Sequence, residues 1–399
     1  MSRHAVTGFG LLWCAGLDVR LTLLAVPPVL PLIHRDLRLS ETGIAALTGL
    51  PVFLLAAAAI PGSLLVARLG ARRALLLGIA LTGVASGLRG VGPSVAVLFG
   101  MTLLMGTGVA IAQPAIPALI GQWFPDDVGR ATAVYVNGLL VGETLSASLT
   151  LPVVLPLASG RWEASFVLWA IPVVATGLLM AWLGPLLPDA AGSPAVRWWP
   201  DWDRGDTWRL GLLQGGASAA YFGANAFIPE FLRAMGRPQA IGGALAMLNA
   251  GQLPASLLAL GLASSLVGRR FPFVVVSLGI LGGLGVFLLG PSWAPAAGAG
   301  ILGLCFAFVL ILTLALPPVY AAPDDIHRLS AAMFAIGYLY SFVIPLLGGA
   351  AWDLARAPGA AFLPVVVGAL TVLGAAAGLP PRGTGAGRGG GGREGGRSP

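Results

Sequence analysis

Twelve apolar stretches, each about as long as a bilayer is thick, dominate this chain. A helix crossing the hydrocarbon core needs about 20 mostly apolar residues. The stretches run approximately over 9–33, 42–66, 74–91, 95–120, 130–157 and 164–186, then 208–232, 239–266, 272–290, 295–320, 330–352 and 360–380. Only 10% of the 399 residues are charged, against about 25% in an ordinary soluble protein. The expected fold class is therefore an all-α membrane protein of twelve transmembrane helices in two six-helix bundles. The bundles are expected over 1–186 and 208–380, joined by a polar cytoplasmic linker at 187–207. A Gly/Arg-rich tail, 381–399, is read as disordered.

The 23 basic residues are all arginine. The absence of lysine removes the P-loop, Schiff-base and kinase lysines together. Cys14 and Cys305 lie in long apolar runs and read as small buried hydrophobes, not as a disulfide. No soluble domain exists to present the net charge of +7 to nucleic acid. With the N-terminus inside, fifteen arginines fall in cytoplasmic segments and seven outside. The positive-inside rule then puts both termini in the cytoplasm, in a multi-pass protein of the plasma (inner) membrane.

The chain repeats itself at an offset of 198 residues. Gly92-Pro93-Ser94 recurs as Gly290-Pro291-Ser292. Pro125-Asp126-Asp127-Val128 recurs as Pro323-Asp324-Asp325-Ile326, with Arg130 matched by Arg328. Pro31 maps to Pro229, and Gly70 to Gly268. Six spans repeated in one orientation describe two parallel bundles. In transporters built this way the substrate sits near the midplane between the halves, and rocking exchanges access. One chain carries both halves, so a monomer is expected.

Several motifs carry a resemblance. Ser63 to Arg73, with Arg68, Gly70, Arg72 and Arg73, resembles the cytoplasmic loop signature of the major facilitator superfamily. Ser63 stands where a Gly is usual, and Ala67 where an Asp is usual. Within that superfamily the chain resembles the cyanate transporter and 2-nitroimidazole transporter family. The matching residues are Asp18-Val19-Arg20 and Pro27-Pro28 in the first span, Arg89 in the third, and Gln113-Pro114, Pro117 and Phe124-Pro125 in the fourth. In the seventh they are Trp208, Gln214, Ser218 and Tyr221. Asp18, Gln113 and Glu143 depart from that family's pattern. The resemblance implies the major facilitator fold, and that the fifth span packs beside the first.

Ionisable groups at membrane depth are functional candidates by default. At about 1.5 Å rise per residue, Arg20 and Glu143 fall near the midplane, while Arg89 is far enough along its span to snorkel outward. Asp18 and Arg20 stand about 200° apart around a helix, so if Arg20 faces a cavity, Asp18 faces a neighbouring helix. Arg20 and Glu143 read either as a packing ion pair or as a substrate-binding cation with a proton-binding acid. Asp18 is the other acid available for proton coupling. Gln214, Ser218, Tyr221 and Asn225 form one stripe along the seventh span, at steps of four, three and four, which lines a cavity or bonds to another helix. Gln113, Asn137, Asn249 and Gln252 are further polar candidates. Trp13, two turns before Arg20, is a candidate wall.

The leading functional reading is a secondary active transporter of a small polar or anionic solute, cyanate- or nitroimidazole-like, with protons as candidate coupling ions. It needs no cofactor and no metal. Its partners are the substrate, protons and the bilayer, with no nucleic acid. One alternative is a proton-coupled drug or metabolite efflux pump, although the fifth span has Gly142-Glu143 where such antiporters usually have Gly-Pro. A membrane-embedded enzyme is another, but His4, His34 and His327 sit at membrane edges without a Ser/His pair or metal-ligand cluster.

Overall fold

The computed structural model describes residues 3–185 and 197–379. Linker residues 186–196 and the Gly/Arg tail from residue 380 lie outside them. The described chain is helical, and its long helices follow the twelve apolar stretches closely. Ten of them, beginning with Ala5–Leu37, are long and apolar enough to cross a membrane. The second span is a bent pair, Gly49–Ala57 and Ala59–Leu69, angled at 52°. The seventh, Gly205–Ala234, has 30 residues, ample length at about 1.5 Å each. It is less apolar because the Gln214–Asn225 stripe interrupts it.

Breaks within spans have local causes. The first span interrupts at Ala25 before Pro27 and Pro28, which supply no N–H to the preceding turn. A π-helical turn at Thr150–Val154 interrupts the fifth span where Pro152 removes another donor. The eighth span, Pro238–Leu266, breaks at Gly251, whose backbone abuts the Gly300 carbonyl.

The first six spans pack on one another as one bundle and the last six as a second. The first span lies on the fifth (Val128–Leu157), and the third (Ala71–Leu88) on the fourth (Val95–Trp123) and sixth (Trp162–Leu183). The seventh lies on the eleventh (Pro323–Ala355) and twelfth (Pro358–Ala377). Between the bundles the fifth span meets the eighth, and the eleventh meets the second and fourth.

The first and fifth spans touch through backbone. A Cβ on Gly138 would stand 2.1 Å from the Trp13 carbonyl oxygen, and one on Gly142 would stand 2.3 Å from that of Leu17. Side chains are absent there so that main chains can approach, which brings Arg20 and Glu143 to one level.

On the face where the first span begins, polar contacts hold the bundles together. The Ser63 hydroxyl lies 3.0 Å from the Trp198 carbonyl oxygen and 2.7 Å from His327 Nδ1, within hydrogen-bond distance of both. Arg328 donates to the Trp199 carbonyl at 2.9 Å and forms ion pairs with Asp201 and Asp325. The linker end is thereby strapped across both bundles.

Replacing Gly138 with Ala is expected to destabilise the protein despite alanine's better helix propensity. The added methyl meets a carbonyl that cannot rotate away, and overpacking costs about 1–3 kcal/mol. The thermal unfolding midpoint of purified protein should fall; an unchanged or higher midpoint would contradict the close approach.

Candidate functional site

Where the bundles face each other, a cavity lies between them. The N-terminal bundle contributes Arg20, Gln113, Tyr135 and Glu143, and the C-terminal bundle Gln214, Ser218, Tyr221 and Tyr338. Phe222, Phe306 and Phe334 supply flat apolar wall. Ser218 stands 198 residues after Arg20, so the internal repeat brings equivalent positions of the two halves to one cavity.

Arg20 is half-buried and lies within electrostatic reach of Glu143, Tyr338, Tyr221 and Tyr135. Among the described residues its guanidinium makes no hydrogen bond and no ion pair within 4.0 Å. The Arg20–Glu143 packing ion pair, one of the two readings of these residues, is therefore not formed. Glu143 instead accepts from the Tyr221 hydroxyl at 2.7 Å, a bond that crosses between the bundles. The same phenol lies 3.2 Å from Asn249 Oδ1, and Asn249 accepts from Gln252 Nε2 at 3.3 Å.

A second crossing is made by Gln113, whose amide nitrogen donates to the Tyr338 hydroxyl at 2.8 Å. The Gln214 amide nitrogen donates to Ser218 at 3.1 Å, one turn along the seventh span. Both glutamines are buried, and the amide oxygen of each has no partner.

Five of the residues singled out from sequence stand elsewhere. Asn137 accepts from Trp13 Nε1 at 2.9 Å and donates to Ser256 at 2.9 Å. Both ends of its amide, and the indole N–H of Trp13, join the fifth span to the first and eighth; neither residue lines the cavity. Asn225 donates to the Tyr221 carbonyl at 3.1 Å, one turn beyond the cavity wall.

Asp18 is 2% exposed and faces the sixth span, where Thr176 is its polar neighbour. Neither carboxylate oxygen has a hydrogen-bond partner by distance and angle. Arg89 does not snorkel outward. It is fully buried, donating to the Thr22 carbonyl at 3.0 Å and Ser86 Oγ at 2.8 Å. Its guanidinium carbon sits 4.5 Å from the centre of the Phe166 ring. The chain turns inward there because Gly90 lets the third span close on the Glu163 carbonyl.

Two cavity tyrosines were not picked out from sequence. Tyr135 was open to detection, because Tyr135, Leu139 and Glu143 recur at steps of four on one face. Tyr338 was not, since nothing local separates it from Tyr340, which bonds Thr371 on the twelfth span at 2.6 Å.

Two bundles of parallel repeat around a central polar cavity accord with the match of residues 9–345 to the family model of the Major Facilitator Superfamily. The chain belongs to the major facilitator superfamily. It is thus a multi-pass membrane transporter and not an enzyme. It is 28% identical over 341 residues to the cyanate transport protein CynX of Escherichia coli, covering 84% of this chain and 87% of that one. It is 26% identical over 290 residues to the 2-nitroimidazole transporter of Escherichia coli, covering 72% and 69% respectively. Among solved structures it resembles FucP in the outward conformation with a TM-score of 0.75 at 12% identity, covering 94% of this chain and 99% of that one. The fucose:proton symporter FucP is an Escherichia coli protein, and at that identity the likeness concerns the fold.

Two of the buried charges outside the cavity, Asp18 and Arg89, should respond differently to removal. Asp18→Asn keeps the shape of the side chain and an amide oxygen beside Thr176, removes no ion pair, and should leave thermal stability essentially unchanged. Arg89→Leu loses two charge-assisted hydrogen bonds and a ring contact, worth about 2–4 kcal/mol together. Equal melting midpoints for the two variants would show that the Arg89 contacts hold nothing.

Proposed function

We propose that this chain is a secondary active transporter of a small polar or anionic solute, of the cyanate- or nitroimidazole-like class, working by alternating access. The observation that supports it best is the Arg20 guanidinium. It lies in the cavity between the bundles, ringed by three tyrosines, with no hydrogen-bond acceptor among the described residues. A half-buried cation of this kind at membrane depth is stabilised by a ligand that brings an acceptor or negative charge. The names of the two Escherichia coli relatives point to small solutes as well.

Glu143 is the proposed proton site. Its one hydrogen bond, from Tyr221, runs between the bundles, so a change of charge on the carboxyl acts directly on a contact that rocking must alter. Asp18 lies against the sixth span without a link to the second bundle, which makes it the weaker coupling residue. The proposal also places the protein in the plasma membrane as a monomer, with both termini cytoplasmic; the arginine asymmetry supports that orientation. The contacts of Ser63 and Arg328 would then close the cytoplasmic side.

Arg20→Gln is expected to lower substrate affinity about 10–100-fold, the worth of one or two charge-assisted hydrogen bonds, while the protein remains folded in the membrane. Unchanged uptake into proteoliposomes would remove Arg20 from the site. Glu143→Gln is expected to abolish transport driven by a pH gradient and to spare substrate exchange. Retained proton dependence in that variant would assign coupling elsewhere.

A further inference from the structure

The Tyr221 hydroxyl stands between two acceptors and has one hydrogen to give. Glu143 Oε1 lies 2.7 Å from it across the bundle interface, and Asn249 Oδ1 lies 3.2 Å from it on the eighth span. The neighbours of Asn249 fix the orientation of its amide. Its nitrogen donates to the Leu245 carbonyl at 2.9 Å, a group that only accepts, and its oxygen accepts from Gln252 at 3.3 Å. The amide oxygen therefore faces the phenol. Asn249 and Gln252 flank the break of the eighth span at Gly251, and that span packs on the fifth across the interface.

The protonation state of Glu143 decides which acceptor takes the hydrogen. An ionised carboxylate only accepts, and its charge-assisted bond outcompetes a neutral amide, so Tyr221 then donates to Glu143. A protonated carboxyl is itself a donor. It gives its hydrogen to the phenol oxygen, whose own hydrogen turns to Asn249. Both states leave every hydrogen of the chain with an acceptor. Of the elements around Glu143, the first span presents Arg20, the seventh Tyr221, the eleventh Tyr338 and the fifth itself Tyr135. The fourth, eighth and tenth spans present no titratable side chain to the cavity, and Asp18 is turned to the sixth. Arg20 and Glu143 are the two charged residues of the cavity lining, so neutralising Glu143 turns a balanced cavity into a cationic one.

We infer that Glu143, Tyr221 and Asn249 form a relay through which a proton and an anionic substrate load together. The proton neutralises Glu143, the anion binds Arg20, and the two cross in the same direction, with no net charge moved for a monovalent anion. Tyr221 and Asn249 are positioning residues that pass the change from the first bundle to the break of the eighth span. By linkage, the factor by which the proton strengthens anion binding equals the factor by which the anion strengthens proton binding. This inference rests on the proposed roles of Arg20 and Glu143 and adds the sign of their coupling and the residues that transmit it.

The test measures sodium cyanate binding to the purified full-length chain in lipid nanodiscs by calorimetry. Buffers of different ionisation enthalpy count the protons taken up. Wild-type protein is expected to take up about one proton per cyanate bound and to bind more tightly as the pH falls. Glu143→Gln holds the neutral state, so above neutral pH it should bind cyanate about 5–10-fold tighter than wild type, with no proton uptake. Asn249→Leu, away from the cavity lining, should weaken binding about fivefold in the wild-type background, the worth of one hydrogen bond, and leave affinity unchanged in the Glu143→Gln background. A merely structural asparagine would give the same loss in both. Proton release or no proton uptake in wild-type protein, weaker binding by Glu143→Gln, or equal losses in the two backgrounds would overturn the inference. The wild-type proton count stands even if a variant does not fold. Binding that is lost in Arg20→Gln but takes up no proton in wild type would keep the anion site and reject the coupling. Absence of cyanate binding to wild-type protein at every pH would reject both.

Discussion

A guanidinium at the depth of the hydrocarbon core must have water, an acceptor or a counter-charge, and most of the central architecture is arranged around that requirement for Arg20. The first span reaches the middle of the protein against the fifth, with Gly138 and Gly142 removing the side chains that would separate their backbones. That approach puts Arg20 and Glu143 on a common cavity. It does not make them a bridge, because Glu143 is engaged by Tyr221 from the opposite bundle. The cation is left facing open space between the halves.

The polar residues of the membrane region divide by whether their bonding capacity is used. Asn137 has both ends of its amide occupied and serves as a joint between the first, fifth and eighth spans. Arg89 is enclosed by a carbonyl, a hydroxyl and a ring. Gln113 and Gln214 are half-used, and Arg20 is unused. Capacity is left over at the cavity on Arg20, Gln113 and Gln214, and in the packing around it on Asp18 and Arg89.

The face carrying the Arg68–Arg73 loop shows how a departure from a family pattern can be absorbed. Ser63, where the superfamily signature usually has a glycine, supplies a hydroxyl that meets His327 and the Trp198 carbonyl. Arg328, the repeat counterpart of Arg130, gathers Asp201, Asp325 and the Trp199 carbonyl. The Ser63 centre lies between the bundles, the Arg328 centre joins the second bundle to the linker, and both include linker residues. The strap is therefore a third party to any movement of one half against the other.

The sequence by itself determined the number and order of the spans, the internal repeat, and the shortage of charge that singles out Asp18, Arg20 and Glu143. Those properties are one-dimensional: the thickness of a bilayer sets a run length, and a duplication sets an offset. Helical periodicity also determined that Asp18 and Arg20 face apart, and that Gln214, Ser218 and Tyr221 share a face. Tertiary structure alone decided which polar groups meet. Asn137 and Asn225 read like cavity residues and are not, because their partners stand on another helix or one turn back along their own. Arg89 read like a residue at the lipid edge and is enclosed, because Gly90 lets the sixth span close over it. Tyr338 carries no local mark, since a phenol's role depends on whether its hydroxyl meets Gln113 across the bundles or a threonine within one. Periodicity assigns a side chain to a face; only packing supplies its partner, because residues more than a hundred positions apart are brought together by the crossing of helices and not by the spacing along any of them.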